Sequence, residues 1–156
     1  MIRLTGLLFG FGLALLTACS SDAKDDADSC MPDDQDGVVG GTNTVLLSVS
    51  DTGFAVGGVD SGSTQRNISV QNTSNVVLTI TNVGTKPHSF KVGCRPTELP
   101  AGCPQTSCFP DEANVPAIDP GDSVTVKFAT PAVEGEYPFT SDEPGDEALI
   151  GQFVLM

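Results

Sequence analysis

The chain has 156 residues and carries 20 acidic against 7 basic side chains, which gives a formal net charge of −13. A surface of this sign repels phosphate groups, so we expect no nucleic acid as a partner. The length suits one domain with an adequate core once an export signal is set aside.

An export signal is predicted over residues 1–18. Arg3 is followed by an apolar run shorter than the roughly 20 residues that a membrane span needs, and small residues precede Cys19. The LTAC sequence at 16–19 resembles the lipobox of bacterial lipoproteins, which implies that Cys19 becomes lipid-modified and anchors the protein in a membrane. Ser20 then favours the outer membrane of the cell envelope. The alternative is an ordinary secretory signal cleaved in front of Cys19.

Residues 19–41 are expected to form the lipidated N-terminus and a disordered acidic linker. The stretch 22–36 is rich in Asp and has almost no apolar side chains, so it cannot bury enough surface to offset its ordering entropy. Like charges extend such a linker and hold the domain away from the membrane. Pro32 and Asn43 stand where an EF-hand loop needs ligands, which argues against a calcium site.

Four cysteines besides Cys19 predict two structural disulfides, since an even number in an exported protein indicates a disulfide framework. They are Cys30, Cys94, Cys103 and Cys108, and three pairings are open. Metal binding by these thiols is the competing interpretation, but their spacing does not form the paired C-x2-C units of zinc sites.

From residue 42 onward the sequence predicts a single all-β domain, residues 42–156. Short runs alternate apolar and polar residues and are bounded by Gly, Pro and Asn, which indicates strands. The predicted strands are 44–50, 53–56, 66–71, 76–82, 88–92, 123–128, 136–140 and 152–156. Such a series is typical of a Greek-key β-sandwich. The segment 94–117 is rich in proline, carries three cysteines, and is predicted to be a loop held by disulfides.

Four segments, in order, resemble parts of a cupredoxin, the fold of blue-copper proteins. VVLTITNVGTKPHSF at 76–90 resembles the strand and turn that lead to the first copper-binding histidine, and 120–128 resembles the next strand. GEYPFTS at 135–141 resembles the family's Gly-x-Tyr-x-Phe-x-Cys strand, and 142–146 and 151–155 resemble the ligand loop and the closing strand. The resemblance spans residues 44–93 and 118–156 and implies a cupredoxin-like sandwich.

The copper ligands implied by this resemblance are degenerate. A blue-copper centre needs two imidazoles and one thiolate, usually with a weak thioether. His88 stands at the first ligand position, but Ser141 replaces the cysteine, Asp146 the second histidine and Leu149 the methionine. His88 is the only histidine of the chain, so a blue-copper set cannot be assembled.

We therefore expect no metal cofactor, with His88 a half-buried imidazole bonded to a carboxylate or backbone group. The alternative is an atypical copper or zinc site in which His88 and Asp146, with Glu143 or Glu147, supply the ligands. A Ser-His-Asp triad is disfavoured because no Gly-x-Ser-x-Gly motif occurs.

The expected function is that of a non-enzymatic binding module with no catalytic residues. Its expected partner is an unknown envelope protein or small ligand, and the loop 94–117 is the expected recognition surface. Two alternatives remain at this point: a copper-binding electron-transfer protein with an atypical site around His88, and a purely structural envelope lipoprotein.

Overall fold

The computed structural model describes residue 30 and residues 40–58 and 64–156. The predicted signal 1–18, the lipidation site Cys19 and the rest of the linker 19–41, apart from Cys30, Gly40 and Gly41, lie outside the described residues. In the part that is described, no helix is both long and apolar enough to cross a membrane.

Each of the eight predicted strands is present, and three short strands join them. The strands are β1 (Gly40–Ser50), β2 (Gly53–Val56), β3 (Asn67–Val70), β4 (Ser74–Asn82), β5 (His88–Val92), β6 (Arg95–Pro96), β7 (Thr106–Ser107), β8 (Val115–Ile118), β9 (Ser123–Ala129), β10 (Gly135–Thr140) and β11 (Ile150–Leu155). A 3-10 turn spans Asp111–Ala113. The prediction of an all-β sandwich is confirmed.

Two sheets face each other across the core. One has the strand order β2-β1-β4-β9 and the other β3-β11-β10-β5-β8. β1 pairs in parallel with β4, and β3 pairs in parallel with β11, whereas the remaining pairs in both sheets are antiparallel. Both parallel pairs join strands that are not consecutive in the sequence.

The core follows from the period-two alternation of the strands. In β4, Val76, Leu78 and Ile80 are buried, while the residues between them face outward or are only partly covered. Aromatic rings from both sheets meet in the centre, with Phe54 and Phe139 edge to face at 5.1 Å between ring centroids. Such contacts add about 0.5–1.5 kcal/mol per pair beyond area burial.

The segment 94–117 is more ordered than the sequence predicted. β6 and β7 pair as a small hairpin, and β8 pairs with β5 and so becomes the edge strand of the second sheet. Phe109 is buried and stacks on Phe153 at 4.8 Å. The prediction of an irregular loop over the whole segment is therefore wrong for its second half, which belongs to the sandwich.

Both predicted disulfides are present among the described residues. Cys94 bonds to Cys108 and closes the β6–β7 hairpin at its base, whereas Cys30 bonds to Cys103 near the hairpin tip. The second bond joins residues 73 positions apart and ties the N-terminal linker to the domain.

The strand registers define two opposite ends of the sandwich. β1 and β4 finish side by side, since Val49 is paired with Asn82, and β5 begins at the same end with His88. We call this the His88 end. Gly40, where β1 begins, and Gly135, where β10 begins, lie at the opposite end.

Candidate functional site

Four segments converge at the His88 end and build a polar cluster. His88 opens β5, Ser141 directly follows β10, and Asp146 lies in the loop between β10 and β11. Asp51 comes from the tight turn between β1 and β2. The long sequence separations between these residues mean that only the closed sandwich brings them together.

His88 and Asp146 form the centre of this cluster. Both side chains are fully buried, and His88 Nδ1 donates to Asp146 Oδ2 over 2.7 Å. Ser141 Oγ donates to the same carboxylate oxygen over 2.5 Å and accepts the Ser89 backbone N–H. A buried carboxylate with several donors is held in place, because each donor satisfies part of its charge.

The second oxygen of Asp146 is balanced by a lysine. Lys86 Nζ lies 2.8 Å from Asp146 Oδ1, and its side chain is 39 % exposed. The contact is a charge pair rather than a well-directed hydrogen bond, because within the described residues no donor meets Oδ1 in favourable hydrogen-bond geometry. The ammonium therefore supplies electrostatic compensation at the rim of the site.

Asp51 contacts the opposite side of the imidazole. Its Oδ1 lies 3.1 Å from His88 Nε2, and its carboxylate accepts the backbone N–H and, over 2.7 Å, the hydroxyl of Thr85. These hydrogen bonds from Thr85, reinforced by His88, lower the pKa of Asp51 to about 2. Both ring nitrogens of His88 therefore face carboxylate oxygens.

The pKa of Asp146 is also lowered. Burial alone would raise it, but the hydrogen bonds from His88 and Ser141 and the ion pair with Lys86 outweigh that effect. The carboxylate therefore stays ionised inside the fold.

These lowered pKa values predict a loss of stability in acid. A carboxyl whose pKa is lower in the folded protein stabilises the fold above its unfolded pKa of about 3.9 and loses this contribution as the pH falls through the folded value. We expect the free energy of unfolding in urea to decline from about pH 4 toward pH 2, and Asp51→Asn to remove part of this decline. An identical pH dependence in Asp51→Asn and the wild type would contradict the proposed role of Asp51.

A second pair of residues extends the network to the surface. Ser89 Oγ donates to Asp142 Oδ1 and accepts the Asp142 backbone N–H, and Lys91 forms an ion pair with Asp142. Both Lys91 and Asp142 are about half exposed. The Lys91–Asp142 pair is a solvent-exposed counterpart of the Lys86–Asp146 pair and is therefore a suitable control for it.

The structure places the predicted ligand positions as follows. His88, Ser141 and Asp146 lie in one cluster, and Leu149 is buried in the core, with its N–H donating to the Asp146 carbonyl over 2.8 Å. His88 is fully buried rather than half-buried, because Asp51 from the β1–β2 turn and Gly84 from the β4–β5 turn cover its outer nitrogen.

The carboxylates on His88 are those of Asp51 and Asp146, not those of Glu143 or Glu147. Glu147 instead accepts the Gly145 N–H. Sequence reasoning missed Asp51 and Lys86. Lys86 lies two residues before His88, so its place near the cluster could have been predicted from the sequence. The contact of Asp51 with His88 depends on the fold.

The residues at these positions do not fit a blue-copper ion. One imidazole is present where two are needed, and no thiolate is present. The direct contact of 2.7 Å between His88 Nδ1 and Asp146 Oδ2 is also too short for a bridging ion. Metal–ligand distances of about 2.0–2.2 Å in a tetrahedral site separate two ligand atoms by about 3.4 Å. Among the described residues, no group of three or more His, Cys, Asp or Glu is placed to hold a metal.

Gly84 seals the outer side of the cluster. A Cβ at this position would lie 2.6 Å from Asp51 Oδ1 and 2.7 Å from His88 Nε2. We expect Gly84→Ala to force these groups apart and to lower the free energy of unfolding by about 1–3 kcal/mol. Gly41→Ala is the matched control, because nothing lies within 4 Å of its Cβ. Equal stability of the two variants in urea would show that the cluster is not tightly packed.

Comparison with known proteins supports the fold. No protein-family model and no curated protein matches the chain. Reduced auracyanin from the photosynthetic bacterium Roseiflexus castenholzii aligns at a TM-score of 0.53 and 17 % identity, over 75 % of this chain and 99 % of its own. Auracyanin B aligns at a TM-score of 0.51 and 17 % identity, over 74 % of this chain and 88 % of its own. Rusticyanin from Thiobacillus ferrooxidans aligns at a TM-score of 0.54 and 15 % identity, over 74 % of this chain and 77 % of its own. The chain therefore has the cupredoxin-like fold that its sequence predicted.

Proposed function

We propose that this protein is a lipid-anchored component of the bacterial cell envelope whose cupredoxin-like domain is a non-enzymatic binding module without copper. The observation that carries this proposal is the ion-paired cluster at the ligand positions. The cupredoxin resemblance assigns Asp146 to the position of the second ligand histidine, and Asp146 is already bonded to His88, Ser141 and Lys86.

Electrostatics argue against copper at this cluster. A Cu²⁺ ion bound by His88 and Asp146 would have to break their mutual hydrogen bond and approach the Lys86 ammonium, which already neutralises the carboxylate. Two like charges at contact distance in a partly buried site repel each other by several kcal/mol, at an effective dielectric constant of about 20. Ser141 offers no thiolate in return, since its hydroxyl stays protonated near neutrality.

The same geometry argues against hydrolytic catalysis. In a Ser-His-Asp triad the serine hydroxyl donates to the histidine, which acts as its base. Here Ser141 donates to Asp146, and both nitrogens of His88 face carboxylates. The arrangement supports a fixed, charged structural cluster rather than an activated nucleophile.

A copper-binding electron-transfer role is the second candidate. It is favoured by the position of His88, an imidazole at the first ligand position flanked by two carboxylates. This role predicts that the protein contains copper when it is isolated from the cell. A purely structural envelope role is the third candidate, and it predicts no defined partner.

The test of the proposal is isolation of the full-length protein from the membranes of cells grown with added copper. We expect substoichiometric copper, no intense visible absorption, and a mature N-terminus that begins at acylated Cys19 by mass spectrometry. One copper per chain, lost in His88→Ala, would establish the second candidate instead. An unacylated N-terminus would remove the lipid anchor from the proposal.

The module itself is tested by photo-crosslinking in intact cells, with a probe at position 143 and a matched probe at position 136, on a strand at the opposite end. Capture of one defined partner at position 143 alone supports a binding module. Capture of nothing at either position would favour the structural role.

A further inference from the structure

We propose that the Cys30–Cys103 disulfide orients the domain on the membrane, with the β6–β7 hairpin toward the lipid and the His88 end away from it. This inference rests on the proposed lipid anchor at Cys19. It identifies the surface that is presented to a partner, which the proposed function leaves open.

The hairpin lies at the end of the sandwich opposite His88. The Arg95 guanidinium lies against Gly135, where a Cβ would be 1.6 Å from its Nη1, and Gly135 begins β10. The Tyr137 hydroxyl is hydrogen-bonded to Ser107 Oγ over 2.8 Å. β10 then runs to the His88 end, where Ser141 follows it. The chain also enters the domain at this opposite end, with Gly40.

The disulfide shortens the connection between the anchor and the domain. Cys19 and Cys30 are eleven positions apart in the sequence, which allows at most about 36–40 Å between them. The Cys30 and Cys103 Cα atoms are only 5.4 Å apart. Without the disulfide, the connection would run through 21 residues to Gly40 and could reach about 70 Å.

The length of the domain decides which of its ends the connection allows to reach the lipid. β1 has 11 residues and runs from one end to the other, which corresponds to about 33 Å. With the disulfide closed, the His88 end reaches the lipid surface only when the connection is almost fully extended. With the disulfide open, the connection is long enough for either end to face the membrane. The covalent bond thus disfavours the orientation in which the His88 end faces the membrane and keeps the hairpin side nearest the lipid.

The consequence concerns partner binding. The predicted recognition surface, the loop 94–117, contains the hairpin that faces the membrane. The surface open to a partner outside the lipid is therefore the His88 end, with the exposed Asp142 and the half-exposed Lys86 around the buried cluster.

The test uses the isotope-labelled mature protein in lipid nanodiscs that carry a gadolinium chelate on the headgroups. Because the two ends are about 33 Å apart, we expect amide relaxation in residues 95–107 to be about tenfold faster than in residues 84–86 and 143–147. In Cys30→Ser/Cys103→Ser this ratio is expected to fall to within about twofold. Equal relaxation at the two ends of the wild-type protein, or faster relaxation at the His88 end, would overturn the proposal.

Failure of the anchor and failure of the orientation are distinguishable. The mass of the native N-terminus tests acylation by itself. If the native protein is not acylated, coupling residue 19 to a lipid chemically still tests whether the disulfide sets the orientation.

Discussion

Replacement of Asp146 by asparagine is expected to lower the free energy of unfolding by about 3 kcal/mol, because it removes one partner of a buried charge cluster. The isosteric amide keeps the shape of the side chain but removes the negative charge that His88 Nδ1, Ser141 and Lys86 contact. Lys86 can turn toward solvent, whereas His88 is fully buried and cannot. The energetic cost therefore falls mainly on the imidazole.

Asp142→Asn is the matched control for this experiment. Asp142 also pairs with a lysine and accepts a serine hydroxyl, but the pair is about half exposed. Exposed ion pairs contribute about 0.2–1 kcal/mol, so this variant should remain close to the wild type. Urea unfolding with the disulfides intact gives both values. If Asp146→Asn were as stable as Asp142→Asn, the buried cluster would not be a significant source of stability.

Restoration of the missing ligands is expected to create a copper site. In the triple variant Ser141→Cys/Asp146→His/Leu149→Met, the fold should present two imidazoles, one thiolate and one thioether at the positions that the cupredoxin resemblance assigns. The expected result is retention of one copper per chain after dialysis, with the intense visible absorption of a copper–thiolate bond.

Two controls accompany this variant. Addition of His88→Ala to the triple variant should abolish copper retention, and Leu149→Met alone should bind none. Peptide mapping must show that the new cysteine leaves the native disulfides intact. Failure of the correctly folded triple variant to retain copper would mean that the four positions are not ligand positions in this chain.

The alternating pattern of the sequence predicted the main strands because each strand has one face in the core. β8 was missed for a physical reason. It contains Pro116, which cannot donate to a sheet, and proline is tolerated here because β8 is an edge strand. Its four residues are too few to show a period on their own. The hairpin of β6 and β7 is shorter still and is closed by a disulfide rather than by alternation.

The candidate site was only partly predictable. The resemblance pointed to His88, Ser141 and Asp146, and the structure places them in one cluster. The resemblance does not point to Asp51, because the contact of Asp51 with His88 depends on how the β1–β2 turn meets the turn before β5. The disulfide pairing was equally open, since it depends on where the linker meets the hairpin and not on the spacing of the cysteines.

A calorimetric copper titration of the oxidised mature protein tests whether the His88 cluster excludes copper. We expect no saturable binding to the wild-type protein and no difference between it and His88→Ala, together with stoichiometric binding to the triple variant. Saturable binding of one copper to the wild type that disappears in His88→Ala would contradict a copper-free cluster, because it would show that the cluster opens to admit a metal ion.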